Sequence, residues 1–160
     1  MDAMARGRCA PLLRCAFDLP DDVRIATLRI SGLGYYEAWC NGERIGDHVL
    51  DPAQTDYECR VLYVRYDVTD LLRAGANVLG VMLGDGWYNQ DRCWLDLDPS
   101  YGEPRLLVAL DVELADGSTR TIVTDEHWRA ATGPIIDNNI YAGECYDARR
   151  EIPGWSTPGY

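Results

Sequence analysis

Apolar and polar side chains alternate along Arg105–Leu114. Leu106, Val108, Leu110, Val112 and Leu114 fall on one side, and Asp111 and Glu113 on the other. Period-two alternation predicts a strand buried on one face. Asp116-Gly117 then turns the chain into residues 119–124, which predicts a hairpin. The same grammar runs earlier in the chain. Residues 24–31 mix Ile, Thr and Leu as a strand does, and Tyr35–Cys40 follows. Asn41-Gly42 comes next, a pair that accepts the positive φ of a tight hairpin turn, so residues 44–47 are predicted to return as a strand. Residues 57–66 and 77–83 are two further β-like runs. Between them, one short helical turn is predicted near residues 69–74, with Asp67 or Thr69 capping its free N–H groups and Gly75 ending it in the left-handed region. Short strands divided by turn signals, with almost no helix, predict an all-β chain folded as an antiparallel β-sandwich or jelly roll.

Composition narrows the function classes. The chain has 160 residues, 47% of them apolar, which suits one domain with a real core. The net charge is -11, Lys is absent and the Arg residues are scattered, which argues against nucleic acid and anionic membrane as partners. No apolar run approaches the roughly 20 residues of a membrane span. The first 14 residues hold no run of signal-peptide length, so the expected location is cytoplasmic. Cys9, Cys15, Cys40, Cys59, Cys93 and Cys145 include no C-x-x-C pair and read as free, buried thiols. His48 and His127 read as surface or hydrogen-bonded residues, since no Ser or Cys nucleophile motif accompanies them.

Three ordered segments carry a resemblance. The first runs Gly32-Leu33-Gly34-Tyr35-Tyr36-Glu37-Ala38-Trp39-Cys40-Asn41-Gly42-Glu43-Arg44-Ile45-Gly46-Asp47. The second is Tyr66-Asp67-Val68-Thr69-Asp70-Leu71-Leu72, continuing to Leu83-Gly84-Asp85-Gly86-Trp87-Tyr88. The third is Gly133-Pro134-Ile135, then Ile140-Tyr141-Ala142-Gly143-Glu144 and Tyr146-Asp147-Ala148-Arg149. Over about residues 11–155 the chain resembles the N-terminal β-domain of bacterial α-L-rhamnosidases of glycoside hydrolase family 78. The resemblance implies a galactose-binding-like jelly roll that precedes an (α/α) barrel bearing the catalytic carboxylates. It implies a non-catalytic accessory module, with that barrel in the same polypeptide as its partner. Related domains of the family bind rhamnose with calcium, so rhamnose-containing glycans are the implied ligands of an alternative, autonomous carbohydrate-binding module. The sequence departs from the family pattern at Cys40, where a β-branched residue or Leu is usual. It departs again at Ala53-Gln54-Thr55-Asp56, which replaces Gly-Trp-Thr-Asp and removes an aromatic from that loop. The expected division is a linker or disordered segment over 1–10, the sandwich over 11–152, and the start of a linker to a missing downstream domain over 153–160.

Two segments concentrate candidate chemistry. Residues 84–101 set Trp87, Tyr88, Trp94 and Tyr101 among Asp85, Asn89, Gln90, Asp91 and Asp96. Flat aromatic faces pack on the C–H faces of sugars, and neighbouring carboxylates and amides bind hydroxyls. The same aromatics equally suit packing against a neighbouring domain. The second segment holds Asp137, Asn138, Asn139, Tyr141 and Glu144. Its three consecutive oxygen-bearing side chains would ligate calcium or would turn the backbone. Asp85, Trp87, Tyr88, Trp94, Asn139, Tyr141 and Glu144 are therefore the expected carbohydrate-binding or interdomain residues, and Asp137 and Asn138 the candidate calcium ligands. No resident cofactor is otherwise expected. Glycoside hydrolysis needs two carboxyl groups roughly 5–9.5 Å apart, and the sequence singles out no such pair.

Overall fold

The structure is a computed structural model that describes residues 9–90 and 100–160. Its strands are β1 (Pro11–Leu19), β2 (Val23–Leu33), β3 (Tyr35–Cys40), β4 (Glu43–Arg44), β5 (Val64–Asp67), β6 (Gly75–Gly84), β7 (Arg105–Leu114), β8 (Thr119–Val123), β9 (Arg129–Thr132), β10 (Ile135–Asn139) and β11 (Gly143–Tyr146). All named pairings are antiparallel. The first sheet has the order β4-β3-β6-β1-β9, the second the order β5-β2-β7-β8, and β10 and β11 form a separate hairpin. The predicted antiparallel sandwich is the observed fold.

The core lies between the two sheets. The second sheet contributes Ala26, Leu28 and Ile30 from β2 and Val108, Leu110, Val112 and Leu114 from β7. Facing them are Tyr36, Ala38 and Cys40 from β3 and Leu79, Val81 and Leu83 from β6. The inward set of β7 is the one read from its alternation, and Leu107 on the same strand is exposed. At the tight turn, Asn41 takes φ 52° and Gly42 φ 88°, as a hairpin of this kind requires.

Thr69–Leu71 forms a single 3-10 turn, with the Asp67 carboxylate accepting the Thr69 N–H at 3.0 Å. A buried amide network ties this turn to the hairpin. Asn77 accepts from the Arg73 N–H and the Asn41 side chain through Oδ1, and donates to the Arg73 and Gly75 carbonyls through Nδ2. Asn41 Oδ1 accepts the Val78 N–H at 2.8 Å. Four bonds on one buried amide repay its desolvation.

Three expectations are corrected. Residues 57–66 form a strand only at Val64–Asp67, because Asp56 turns the chain first. Its side chain accepts the Glu58 N–H, and its carbonyl accepts the Cys59 and Arg60 N–H groups. The returning strand after Gly42 ends at Arg44, and Gly46 then bends away at φ 69° against the Tyr66 ring. Cys15 and Cys40 are buried free thiols, whereas Cys59 and Cys145 are exposed. Cys93 lies outside the described residues. Ala10 is buried and donates its N–H to the Ile135 carbonyl. Residues 153–160 pack onto the first sheet. Trp155 sits 5.4 Å from Trp39 in an edge-on pair, and Arg14 donates to the Trp155 and Thr157 carbonyls. A Cβ on Gly80 would lie 2.7 Å from the Trp155 ring, so only glycine admits the tail there.

Candidate functional site

Parts of the three quoted segments meet where β3 begins and β6 ends, at the Tyr35–Gly84 pair. Gly34 stands at φ 121°, and a Cβ there would lie 2.2 Å from the Gly84 carbonyl oxygen. Gly86 stands at φ 54°, with the Tyr35 nitrogen 2.8 Å from where its Cβ would be. The two glycine-rich loops therefore touch backbone to backbone. The third segment closes on them from above: Asn138 Oδ1 accepts the Asp85 N–H at 2.7 Å and lies 3.0 Å from where a Gly84 Cβ would stand.

Each predicted residue now has a place. Asp85 is buried, and its carboxylate accepts from the Asn89 side chain at 2.9 Å. Asn89 in turn accepts from the Ser100 hydroxyl, so Asp85 organises the loop from beneath. Trp87 meets Tyr141 edge-on, with ring centroids 5.5 Å apart. Tyr88 goes elsewhere, stacking on Tyr101 while Tyr57 meets both rings edge-on. Among the described residues, the aromatics of this segment thus fall into two clusters. Trp94 lies outside the described residues. Asn139 is buried, and its Oδ1 accepts the Tyr141 and Ala142 N–H groups at 2.9 and 3.0 Å. That is the geometry of a side-chain-closed turn. Glu144 is exposed on β11, opposite Asn138 on β10.

Asp137 and Asn138 lie within β10. The amide oxygens of Asn138 and Asn139 serve backbone N–H groups. Among the described residues no three His, Cys, Asp or Glu side chains converge on one point.

Between the hairpin β10–β11 and residues 45–52 lies an open cleft of about 670 Å³. Tyr35, Met82 and Gly84 line it from the sheet, Asn138 and Glu144 from the hairpin, and Val49 and Leu50 from the loop. Burial pushes the Tyr35 phenol up, partly offset by a hydrogen bond with Trp87. The loop is pinned at Asp51, whose carboxylate meets His48 Nδ1 at 2.8 Å and accepts the Tyr66 hydroxyl at 2.9 Å. The Tyr36 N–H adds a bond to the Asp51 carbonyl. Leu50 takes φ 58° and, with Val49, stands exposed at the rim. Glu37, the other acid of the cleft, pairs with Arg44 at 3.2 Å.

Val49, Leu50 and Met82 were not singled out from the sequence, and Tyr146 entered only as part of the third quoted segment. One signal does point to this face. Tyr35–Cys40 and residues 77–83 carry apolar side chains at nearly every position, the mark of a strand covered on both sides.

Comparison with known proteins gives consistent results. Residues 21–160 match the sequence model of a family described as the alpha-L-rhamnosidase N-terminal domain. An alpha-L-rhamnosidase of Formosa agariphila is 43% identical over 159 residues, covering 96% of this chain and 17% of its own length. The crystal structure of a Streptomyces avermitilis alpha-L-rhamnosidase complexed with L-rhamnose superposes with a TM-score of 0.91 at 44% identity, over 96% of this chain and 15% of that one. A native Aspergillus terreus alpha-L-rhamnosidase does so with a TM-score of 0.91 at 42% identity, over 98% and 18%. The chain therefore spans less than a fifth of the length of these relatives.

Proposed function

This chain belongs to the alpha-L-rhamnosidase N-terminal domain family, and from that membership we propose that it is a non-catalytic accessory module of an α-L-rhamnosidase. Its partner is a catalytic domain of the same polypeptide, which removes terminal L-rhamnose from glycosides. The observation that carries this reading is the open, apolar-walled cleft on the first sheet. Of the two acids that line it, Glu37 is bound by Arg44 and Glu144 stands exposed on β11.

The exposed aromatics Tyr141 and Tyr146 beside Glu144 favour a second reading, an autonomous module for rhamnose-like sugars. Two measurements on the isolated chain separate the readings from each other and from hydrolysis. Under the accessory reading, calorimetric titration with millimolar L-rhamnose gives no heat, with or without calcium. Heat that disappears in Trp87→Ala or Tyr146→Ala establishes the sugar module instead. Turnover of an aryl rhamnoside that is abolished in Glu144→Gln would overturn both.

A further inference from the structure

The sandwich has two outer faces, and they differ in relief and in charge pairing. On the second sheet Arg24 pairs with Glu113 and Arg29 with Asp111 across strands, and Thr27 and Thr121 stand among them. Ion pairs and threonines of this kind suit a sheet face turned to water, and Ile25, Leu107 and Val123 stand exposed singly among them. On the first sheet the outward positions are Tyr35, Glu37 and Trp39 of β3, Gly80 and Met82 of β6 and Leu12 of β1. Register places Glu37, Met82 and Leu12 in one row. The hairpin β10–β11 and residues 151–157 roof this face only in part. A second cleft of about 440 Å³ lies beside the first, between Trp39, Met82 and Pro153. Met82 and Tyr146 line both clefts, which makes them one groove.

We propose, resting on the accessory reading above, that this groove seats the remainder of a rhamnosidase polypeptide, which fills it with an apolar segment carrying Arg or Lys. Three observations select that occupant. Val49, Leu50 and Tyr146 are 66%, 62% and 51% exposed at the groove, and apolar area of this kind is stabilised only when a partner removes it from water. The acids Glu144 and Glu151 line it, while Arg14 and Arg44 are committed to carbonyls and to Glu37, so the complementary segment is basic. Residues 151–160 cross this same face and bring the Tyr160 ring to 5.8 Å from the Arg14 guanidinium. The relatives are more than five times as long as the segment that they match, so most of a rhamnosidase polypeptide lies outside that segment.

Hydroxyl-radical footprinting tests this on two proteins. One is the isolated chain, and the other is the full-length Streptomyces avermitilis relative with this chain in place of its own matching segment. Tyr146, Tyr35 and Met82 are expected to oxidise at least about fivefold more slowly in the full-length chimera, while Leu107, Ile25 and Tyr63 keep their rates. Glu144→Lys in the chimera is expected to return Tyr146 most of the way to its rate in the isolated chain, and Glu113→Lys to leave it unchanged. Protection of Leu107 and Ile25 instead would overturn the assignment of the face and leave the accessory reading standing. Protection nowhere would sink both. Protection of Tyr146 in the isolated chain by millimolar L-rhamnose would assign the groove to sugar. Equal effects of the two charge reversals would remove the basic segment.

Discussion

Single residues carry more of this fold than their chemistry suggests. Gly34 and Gly117 both hold positive φ, but Gly34 has the Gly84 carbonyl in the place of its Cβ, while Gly117 faces open space. Gly34→Ala is expected to lower the unfolding free energy by about 3 kcal/mol or more through clash and strain together. Gly117→Ala should cost only about 1 kcal/mol. Urea unfolding of the two variants measures the difference directly. The cysteines make a second contrast. Burial pushes the Cys40 thiol up to about 12, with Glu43 adding to the effect. Cys145 is exposed. In the native protein at pH 8, iodoacetamide should label Cys145 within minutes and leave Cys40 untouched until denaturant is added, as mass spectrometry of the peptides would show.

At the scale of elements, the amide network around Asn77 joins β6, the 3-10 turn and the β3 hairpin. Asn77→Leu leaves the Arg73 N–H and the Asn41 amide without their shared acceptor and should cost roughly 3 kcal/mol, read as a shift in the urea midpoint. Elements were also where the sequence was most legible. The alternation of β7 and the Asn41-Gly42 and Asp116-Gly117 turns are local signals, and each appears in the structure where expected. Residues 57–66 misled because a β-rich composition says nothing of an Asp that spends its oxygens on the next backbone turn. The candidate site was half legible. Asp85, Trp87, Asn139 and Tyr141 do gather, yet Tyr88 departs to Tyr57 and Tyr101, a pairing between distant segments that no local pattern encodes. Met82 escaped notice, and Tyr146 was quoted without a place in the site, because a groove arises from how elements cover one another.

For the molecule as a whole, acid is the informative variable. Hydrogen bonds from Arg149 hold the Asp147 carboxyl down to about 2, and those from Thr69, Ser118 and His127 lower Asp67, Asp116 and Asp125. Groups depressed in the folded state stabilise it above their unfolded value near 3.9 and lose that contribution as pH falls through the folded value. Stability should therefore decline between about pH 4 and 2, and Asp147→Asn should make that decline shallower in thermal melts taken across the range. The tail offers a different kind of readout. The indoles of Trp39 and Trp155 stand 5.4 Å apart at 71°, held there because Gly80 has no side chain. Two chromophores at that separation and angle share their excited states, so the native chain carries an optical signature of tail seating. It should appear as an exciton couplet in the circular dichroism spectrum and vanish in Trp155→Phe. Any lifting of the C-terminal segment could then be followed in real time without attaching a dye.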